Sequence, residues 1–168
     1  MRRISNVQRL TALAFLIWAI DFLTKSWAVE NLTSQPRKVI GSLLQLTLFR
    51  NPGAAFGTAT GFTVIFTALS IAVVIFIARY STRIISTGWM VVGGLVLGGV
   101  LGNLTDRIFR EPGFFMGHVI DWIELPHWPI FNIADSSIVI AALIAVALTM
   151  RNIHPFEISE TGKGGRDE

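Results

Sequence analysis

The sequence predicts an all-α membrane protein with four transmembrane helices and a small β element on its outer face. Hydrophobic residues make up 52% of the 168 residues and charged residues 15%. The mean hydropathy is +0.58, which is too apolar for an ordinary soluble domain. Four apolar runs each approach the roughly 20 residues that a helix needs to cross the hydrocarbon core. No linker divides them, so residues 1–168 are interpreted as a single domain.

The four predicted spans cover about residues 11–29, 62–80, 88–109 and 133–150. Each must be helical in lipid, because all its backbone groups have to be satisfied within the segment. Asp21 and Lys25 interrupt the apolar part of the first span, and no small-x-small cleavage site follows it. This run is therefore interpreted as a retained helix and not as a cleaved signal peptide. After the fourth span, the polar residues 153–168 predict a disordered tail.

The Lys and Arg residues outside the spans predict the orientation of the chain. Eight of them precede the first span, lie at the connection of the second span to the third (including the end of the second), or follow the fourth, and five lie in the other two loops or at the end of the third span. Because cytoplasmic loops carry the excess of basic residues, both termini are predicted to be cytoplasmic. The loops at about 30–61 and 110–132 then face the extracytoplasmic side.

Two further patterns predict local structure. Leu44, Leu46 and Leu48 alternate with polar residues in the first outer loop, which indicates a strand, and the turn signal Asn51-Pro52-Gly53 follows. In the third span, small residues recur every four positions, and the fourth span has a similar face. Such ladders let helix backbones approach closely in lipid, so these residues are assigned to helix packing.

Polar residues at membrane depth point to a site near the outer face. In the predicted orientation, one layer collects Asp21, Lys25, Asn103, Asp106, Arg107, Asp121 and Asp135. Ionisable groups within a membrane are expensive and usually functional. Structural ion pairs remain an equally good interpretation for Asp21 with Lys25, which are four residues apart on one helix face. Structural ion pairs are the favoured interpretation for Asn103, Asp106 and Arg107.

Asp121 and Asp135 suggest acid/base chemistry. They lie 14 positions apart, and no nearby cation is an obvious partner for both. Two adjacent carboxylates cannot both ionise cheaply, so they share a proton. The ionised member can then activate water, while the protonated member polarises a carbonyl and donates to the leaving group. Asp135 begins a helix, where the dipole favours the anion, and is predicted to be the ionised member.

Five motifs, in this order, resemble the motif set of the lipoprotein signal peptidase (signal peptidase II) family. They are Asp21-x-x-x-Lys25, Asn51-Pro52-Gly53-Ala54-Ala55-Phe56, Gly102-Asn103-Leu104-Thr105-Asp106-Arg107, Gly117-His118-Val119-Ile120-Asp121 and Phe131-Asn132-Ile133-Ala134-Asp135. The resemblance implies four transmembrane helices with an extracytoplasmic β-cradle and a short extramembrane helix. It also implies an aspartic endopeptidase of the bacterial cytoplasmic membrane, which removes the signal peptide from prolipoproteins just before a diacylglyceryl-modified cysteine.

The resemblance also implies roles for particular residues. By matching position, Asp121 and Asp135 are the implied catalytic pair. The implied residues that line or support the substrate site are Asn51, Gly53, Asn103, Asp106, Arg107 and Asn132, with Asp21 and Lys25 behind them. The expected partners are diacylglyceryl-modified prolipoprotein signal peptides and membrane lipids. Neither a metal nor a cofactor is expected, and the protein is expected to be a monomer.

Other functions explain less of the sequence. In a proton-coupled transporter, Asp21 and Asp106 could relay protons, but the charges cluster at one depth and no inverted repeat is visible. A metallopeptidase could use His118, Asp121 and His127, yet no His-Glu-x-x-His helix is present. A purely structural membrane protein would leave the two aspartates unexplained. The scattered basic residues do not favour nucleic-acid binding, and the absence of cysteine excludes a thiolate nucleophile.

Overall fold

Four long helices and a three-stranded antiparallel sheet form the protein, as described by a computed structural model that covers residues 2–53 and 60–157. In chain order the elements are α1 (Arg2–Asn31), β1 (Arg37–Ile40), β2 (Leu44–Asn51), α2 (Thr60–Tyr80), α3 (Thr87–Phe109), β3 (Val119–Glu124) and α4 (Ile133–Met150), with a short 3-10 turn at Ser81–Arg83. All four helices are long and apolar enough to cross a membrane. The prediction of four spanning helices with a small β element is confirmed.

Helix α3 is the centre of the bundle and packs against α1, α2 and α4. A side chain at Gly98 would bring a Cβ within 2.7 Å of the carbonyl oxygen of Ala14 on α1, which is closer than such atoms approach. At Gly102 a Cβ would meet the carboxylate of Asp21 and the side chain of Ala134 on α4. The small residues therefore allow α1, α3 and α4 to approach at the depth where Asp21 lies.

The sheet has the order β1-β2-β3 and covers one end of the bundle. Ala28 and Leu32 at the end of α1 form a buried cluster with Ile120 of β3, which holds the sheet against the helices. In the register of β2 with β3, Phe49 is opposite Asp121 and Asn51 is opposite Val119. The alternating leucines therefore lie in a strand as predicted, while β3 was expected only as loop.

A closed loop connects β3 to α4. Ile123 and Phe131 form an isolated antiparallel bridge, in which each backbone N–H donates to the other residue's carbonyl, at 2.9 and 3.0 Å. Asn132 follows immediately as the N-cap of α4. The 14 positions between Asp121 and Asp135 are thus folded back on themselves, and the two aspartates return to the same place.

At the opposite end of the bundle, the chain beyond α4 turns back over α3. The Trp89 indole N–H donates to the carbonyl of Ile153 at 2.7 Å, and the Ile85 backbone N–H donates to that of Pro155 at 3.0 Å. Residues 153–157, where the sequence predicts the start of a disordered tail, are held by these bonds; residues 158–168 lie outside the described part. The short outer helix implied by the resemblance is not among the elements of the described residues, and 54–59, after β2, lie outside them.

Candidate active site

The side chain of Asn132 connects the two aspartates. Its Nδ2 donates to Asp121 Oδ1 at 2.6 Å, and its Oδ1 accepts from the backbone N–H of Asp135 at 2.9 Å. The Asp135 carboxylate accepts in return from the Asn132 backbone N–H at 3.2 Å, which completes a capping box at the start of α4. The local chemistry that begins the helix therefore also brings both carboxylates into contact with one residue, Asn132.

Asn103 of α3 holds the other side of Asp135. Its Nδ2 donates to Asp135 Oδ1 at 2.8 Å. Its Oδ1 accepts from the Lys25 ammonium at 2.8 Å and from Asn132 Nδ2 at 3.2 Å. An ammonium group can only donate, so Lys25 fixes which end of the Asn103 amide faces Asp135. The half-buried Asp135 carboxylate consequently receives hydrogen bonds from both the Asn103 side chain and the Asn132 backbone.

Lys25 is itself fully buried in an ion cluster. Its Nζ lies 2.7 Å from Asp21 Oδ2 and 2.9 Å from Asp106 Oδ2, and the bond to Asn103 accounts for its third N–H. Arg110 adds a second cation, because its Nε is paired with Asp106 Oδ1. Two carboxylates and two cations balance in charge, which is the condition under which buried charges are tolerated.

The cluster also positions the backbone around the aspartates. Asp106 Oδ2 accepts from the N–H of Ile120, the residue before Asp121, at 3.1 Å. Asp21 Oδ1 accepts from the N–H of Ala134, the residue before Asp135, at 2.9 Å. Each buried carboxylate of the cluster therefore holds the strand or helix that carries one of the two aspartates.

Asp121 is almost completely buried, with 1% of its surface exposed. Burial, followed by the charge of Asp135, raises the pKa of Asp121 to about 7, against the lowering effects of hydrogen bonds from Asn51 and Asn132 and of the Lys25 charge. Burial penalises the charged form of a carboxyl group, and a second carboxylate adds to that penalty. Asp121 therefore retains its proton at pH values where an ordinary aspartate has lost it.

Asn51 ends β2 beside Asp121 and contacts it directly. Its Nδ2 donates to Asp121 Oδ2 at 2.9 Å, and its Oδ1 accepts from the Gly53 backbone N–H at 2.8 Å. The sequence indicates a turn at Asn51, and the family resemblance implies a residue that lines or supports the substrate site. In the structure, one amide both closes the turn and donates to Asp121.

A cavity of about 530 Å³ opens next to Asn51. Its lining residues are Phe49, Asn51, Gly53, Phe66, Arg107, Pro129 and Ile130. The Arg107 guanidinium lies 5.6 Å from the centre of the Phe66 ring. Its Nη1 is buried and has no hydrogen-bond partner among the described residues. Gly53 has a φ of +86°, and a side chain there would stand 3.2 Å from Arg107 Nη1, so glycine suits both the turn and the close approach.

Comparison with known proteins identifies the family. Residues 13–151 match the family model described as signal peptidase (SPase) II. The chain belongs to the signal peptidase II family. The lipoprotein signal peptidase of Rhodococcus jostii (strain RHA1) is 46% identical over 147 residues, which are 87% of this chain and 74% of that protein. That of Leifsonia xyli subsp. xyli is 47% identical over 146 residues, 86% of this chain and 68% of that protein.

The fold agrees with this assignment. A solved structure described as a bacterial membrane enzyme, determined by the in meso method at 1.9 Å, aligns with a TM-score of 0.75 at 27% identity, covering 85% of this chain and 93% of that one. This signal peptidase II family member is thus a multi-pass membrane peptidase. The assignment leaves the transporter and the purely structural alternatives without support.

Within this family member, the residues singled out from the sequence form one connected set. Asp21, Lys25, Asn51, Asn103, Asp106, Asn132 and both aspartates are joined by the contacts given above. Two details differ from expectation. Asp106 pairs with Lys25 and Arg110, whereas Arg107, its sequence neighbour, turns to the cavity. The role of Arg110 was missed, although its spacing of four from Asp106 on one helix face was a usable signal.

Proposed function

We propose that this member of the signal peptidase II family removes signal peptides from prolipoproteins as an aspartic endopeptidase, with Asp121 and Asp135 as its catalytic pair. The cut falls just before the diacylglyceryl-modified cysteine. The observation that carries the proposal is the Asn132 side chain, which contacts the buried Asp121 carboxyl and the Asp135 backbone at once. Aspartic peptidases need two carboxyl groups that share one proton.

The hydrogen bonds around the pair support a division of labour. Asp135 accepts hydrogen bonds from Asn103 and from the backbone of Asn132, and these two donors fix the position of its carboxylate. Burial favours the protonated form of Asp121. Asp135 is then the general base that takes a proton from the attacking water, and Asp121 polarises the scissile carbonyl. A proton passes to the leaving amine as the tetrahedral intermediate collapses, so the products are a carboxylic acid and the free amine of the cysteine.

The remaining residues orient the pair and the substrate. Asn51, Asn103 and Asn132 hold the carboxyl groups, while Asp21, Lys25 and Asp106 hold those amides and the neighbouring backbone. Arg107 and Gly53 face the adjacent cavity, where a guanidinium N–H that has no partner among the described residues suits an extended peptide. No cofactor or metal is part of this scheme.

The proposal places the pair near the extracytoplasmic membrane surface, with both termini in the cytoplasm. A signal peptide then reaches the site as a transmembrane helix, and the acyl chains of the modified cysteine remain among membrane lipids. The enzyme is proposed to act as a monomer.

The deciding experiment is a cleavage assay with purified protein in detergent. The substrate is a synthetic lipobox peptide with a diacylglyceryl cysteine, and the control is the same peptide without the acyl groups. We expect cleavage of the acylated peptide before the cysteine, unchanged by a chelator. Cleavage abolished by the chelator and restored by a divalent metal would contradict the aspartic mechanism, and equal cleavage of both peptides would contradict the substrate assignment.

A further inference from the structure

Two cavities meet at the end of the bundle opposite the aspartates. One, of about 360 Å³, is an apolar groove between α2, α3 and the segment after α4, and its walls include Val73, Trp89 and Val96. The other, of about 390 Å³, is lined by Tyr80, Arg83, Phe156 and Glu157. Tyr80 and Phe156 line both. The two cavities therefore share a wall, and together they offer an apolar part beside a charged part, which is the division found in an amphiphile.

The groove is long enough for about two thirds of a lipid tail. From Tyr80 back to Val73 on α2, and from Trp89 to Val96 on α3, the groove spans seven residues of helix. At 1.5 Å per residue this is about 10 Å, against roughly 15 Å for the hydrocarbon of one leaflet. Tyr80 and Trp89 stand at its mouth, where aromatic side chains favour the membrane interface.

The charged cavity carries positive charge at that interface. The Arg83 guanidinium lies 5.4 Å from the centre of the Tyr80 ring, and that of Arg79 lies 6.0 Å from the same centre. Both arginines are exposed. Glu157 lines the cavity with Arg83, so two arginines and one carboxylate leave a net positive charge at this place. Basic pockets between transmembrane helices on the cytoplasmic side suit anionic lipid headgroups.

We infer that this site binds an anionic glycerophospholipid of the leaflet opposite the active site, with an acyl chain in the groove and the headgroup phosphate at Arg83. The site shares no lining residue with the cavity beside the aspartates. Charge decides between possible occupants. The basic start of a signal peptide would be repelled by Arg79 and Arg83, whereas an anionic headgroup is attracted.

Native mass spectrometry of the full-length protein tests this inference. The probes are phosphatidylglycerol, phosphatidylethanolamine and phosphatidylcholine with identical acyl chains. We expect phosphatidylglycerol to be retained at least about fivefold more than either other lipid. Arg83→Gln should abolish this preference, so that phosphatidylglycerol is retained about as well as the other two lipids. Arg151→Gln, which removes the same charge at the same end of the bundle but outside both cavities, should leave it unchanged. Val73→Phe should fill the groove and reduce the retention of all three lipids.

Three results would overturn the inference. Equal retention of the three lipids, or better retention of phosphatidylethanolamine, would show that the headgroup is not selected for negative charge. Equal effects of Arg83→Gln and Arg151→Gln would show general attraction to a basic surface. Retention that appears only when the chain is cut after Glu157 would show that residues 158–168 occupy the site.

Discussion

Lys25 on α1 donates a hydrogen bond of 2.8 Å to the side-chain oxygen of Asn103 on α3, across 78 positions of sequence. This bond links the buried ion cluster to the proposed catalytic pair, because it turns the Asn103 amide so that its NH₂ group faces Asp135. The cluster of Asp21, Lys25 and Asp106 therefore ties the helices together and also orients a proposed catalytic group. The structural and functional interpretations of these charges are compatible.

Replacing either proposed catalytic aspartate by asparagine should abolish turnover without unfolding the protein. Asn preserves the shape of the side chain but cannot share a proton, so we expect Asp121→Asn and Asp135→Asn each to reduce kcat by at least about 10²-fold. Glu30→Gln, which changes an exposed carboxylate at the end of α1, is the matched control and should retain full activity. Lipopeptide cleavage and Tm in detergent are the measurements. Near-normal activity in either variant would disprove the pair.

The raised pKa of Asp121 should make stability depend on pH. Its pKa is about 7 in the folded protein against an ordinary 3.8, so the folded state binds the proton more tightly. The resulting stabilisation is complete below about pH 4 and is lost as the pH rises through about 7. At about 1.4 kcal/mol for each pKa unit, the full effect is about 4 kcal/mol.

The comparison between wild type and Asp121→Asn isolates this effect, because the variant lacks the titrating group. Relative to wild type, the variant should gain stability steadily between pH 4 and pH 7 in denaturation experiments. The groups that act on Asp121 are Asp135, Lys25, Asn51 and Asn132, together with the Arg107 charge, and all five remain in the variant. A stability difference that does not change with pH would show that Asp121 titrates normally.

Asn51→Ala should impair catalysis more than folding. The substitution removes the donor to Asp121 Oδ2, a bond that lowers the pKa of Asp121. We expect turnover to fall at least about tenfold, and the alkaline limb of kcat/KM, which reports the pair as a unit, to move to higher pH. Asn31→Ala, at the exposed end of α1, is the control. A large drop in Tm with unchanged kinetics per folded molecule would mean that Asn51 only closes the turn.

Lys25→Met should be strongly destabilising, and its effect should depend on Asp21. The single variant leaves Asp21 buried at 0% exposure without its cation, and breaking a buried pair costs about 3–5 kcal/mol. The double variant Asp21→Asn with Lys25→Met retains the Asp106–Arg110 pair and should recover part of the loss. A double-mutant cycle of free energies of unfolding measures this coupling. Additive effects would contradict a direct interaction between the two charges.

Reporter fusions should confirm the proposed orientation. A reporter after Met150 is expected in the cytoplasm and one near Gln35 outside it, because the basic residues favour that arrangement. Protease protection or alkaline phosphatase activity provides the measurement. Finding the Met150 reporter outside the cytoplasm would also place the aspartates on the wrong face for the proposed substrate.

The sequence alone was sufficient to predict the four spans, the strand β2 and the family. The length of an apolar run is a local property that the thickness of the bilayer selects, so seven of the eight predicted helix ends lie within two residues of the observed ends. The exception is the start of α1 at Arg2, nine residues before the predicted start, because the helix continues through polar residues beyond the apolar run. Motif order identified the family before any geometry was available. The same holds for the pair of Asp21 and Lys25, whose spacing of four on a helix already places them in contact.

Only the tertiary structure decided how these pieces meet. The partner of Asp106 could not be read from its neighbours, because Lys25 reaches it from another helix while the adjacent Arg107 turns away. The strand β3, which carries Asp121, forms because β2 offers an edge and the Asp106 carboxylate holds the N–H of Ile120. Such contacts join residues far apart in the chain and depend on how the helices cross. For that reason the sequence predicted the residues of the candidate site, and the packing of α1, α3 and α4 determined how they are buried and hydrogen-bonded.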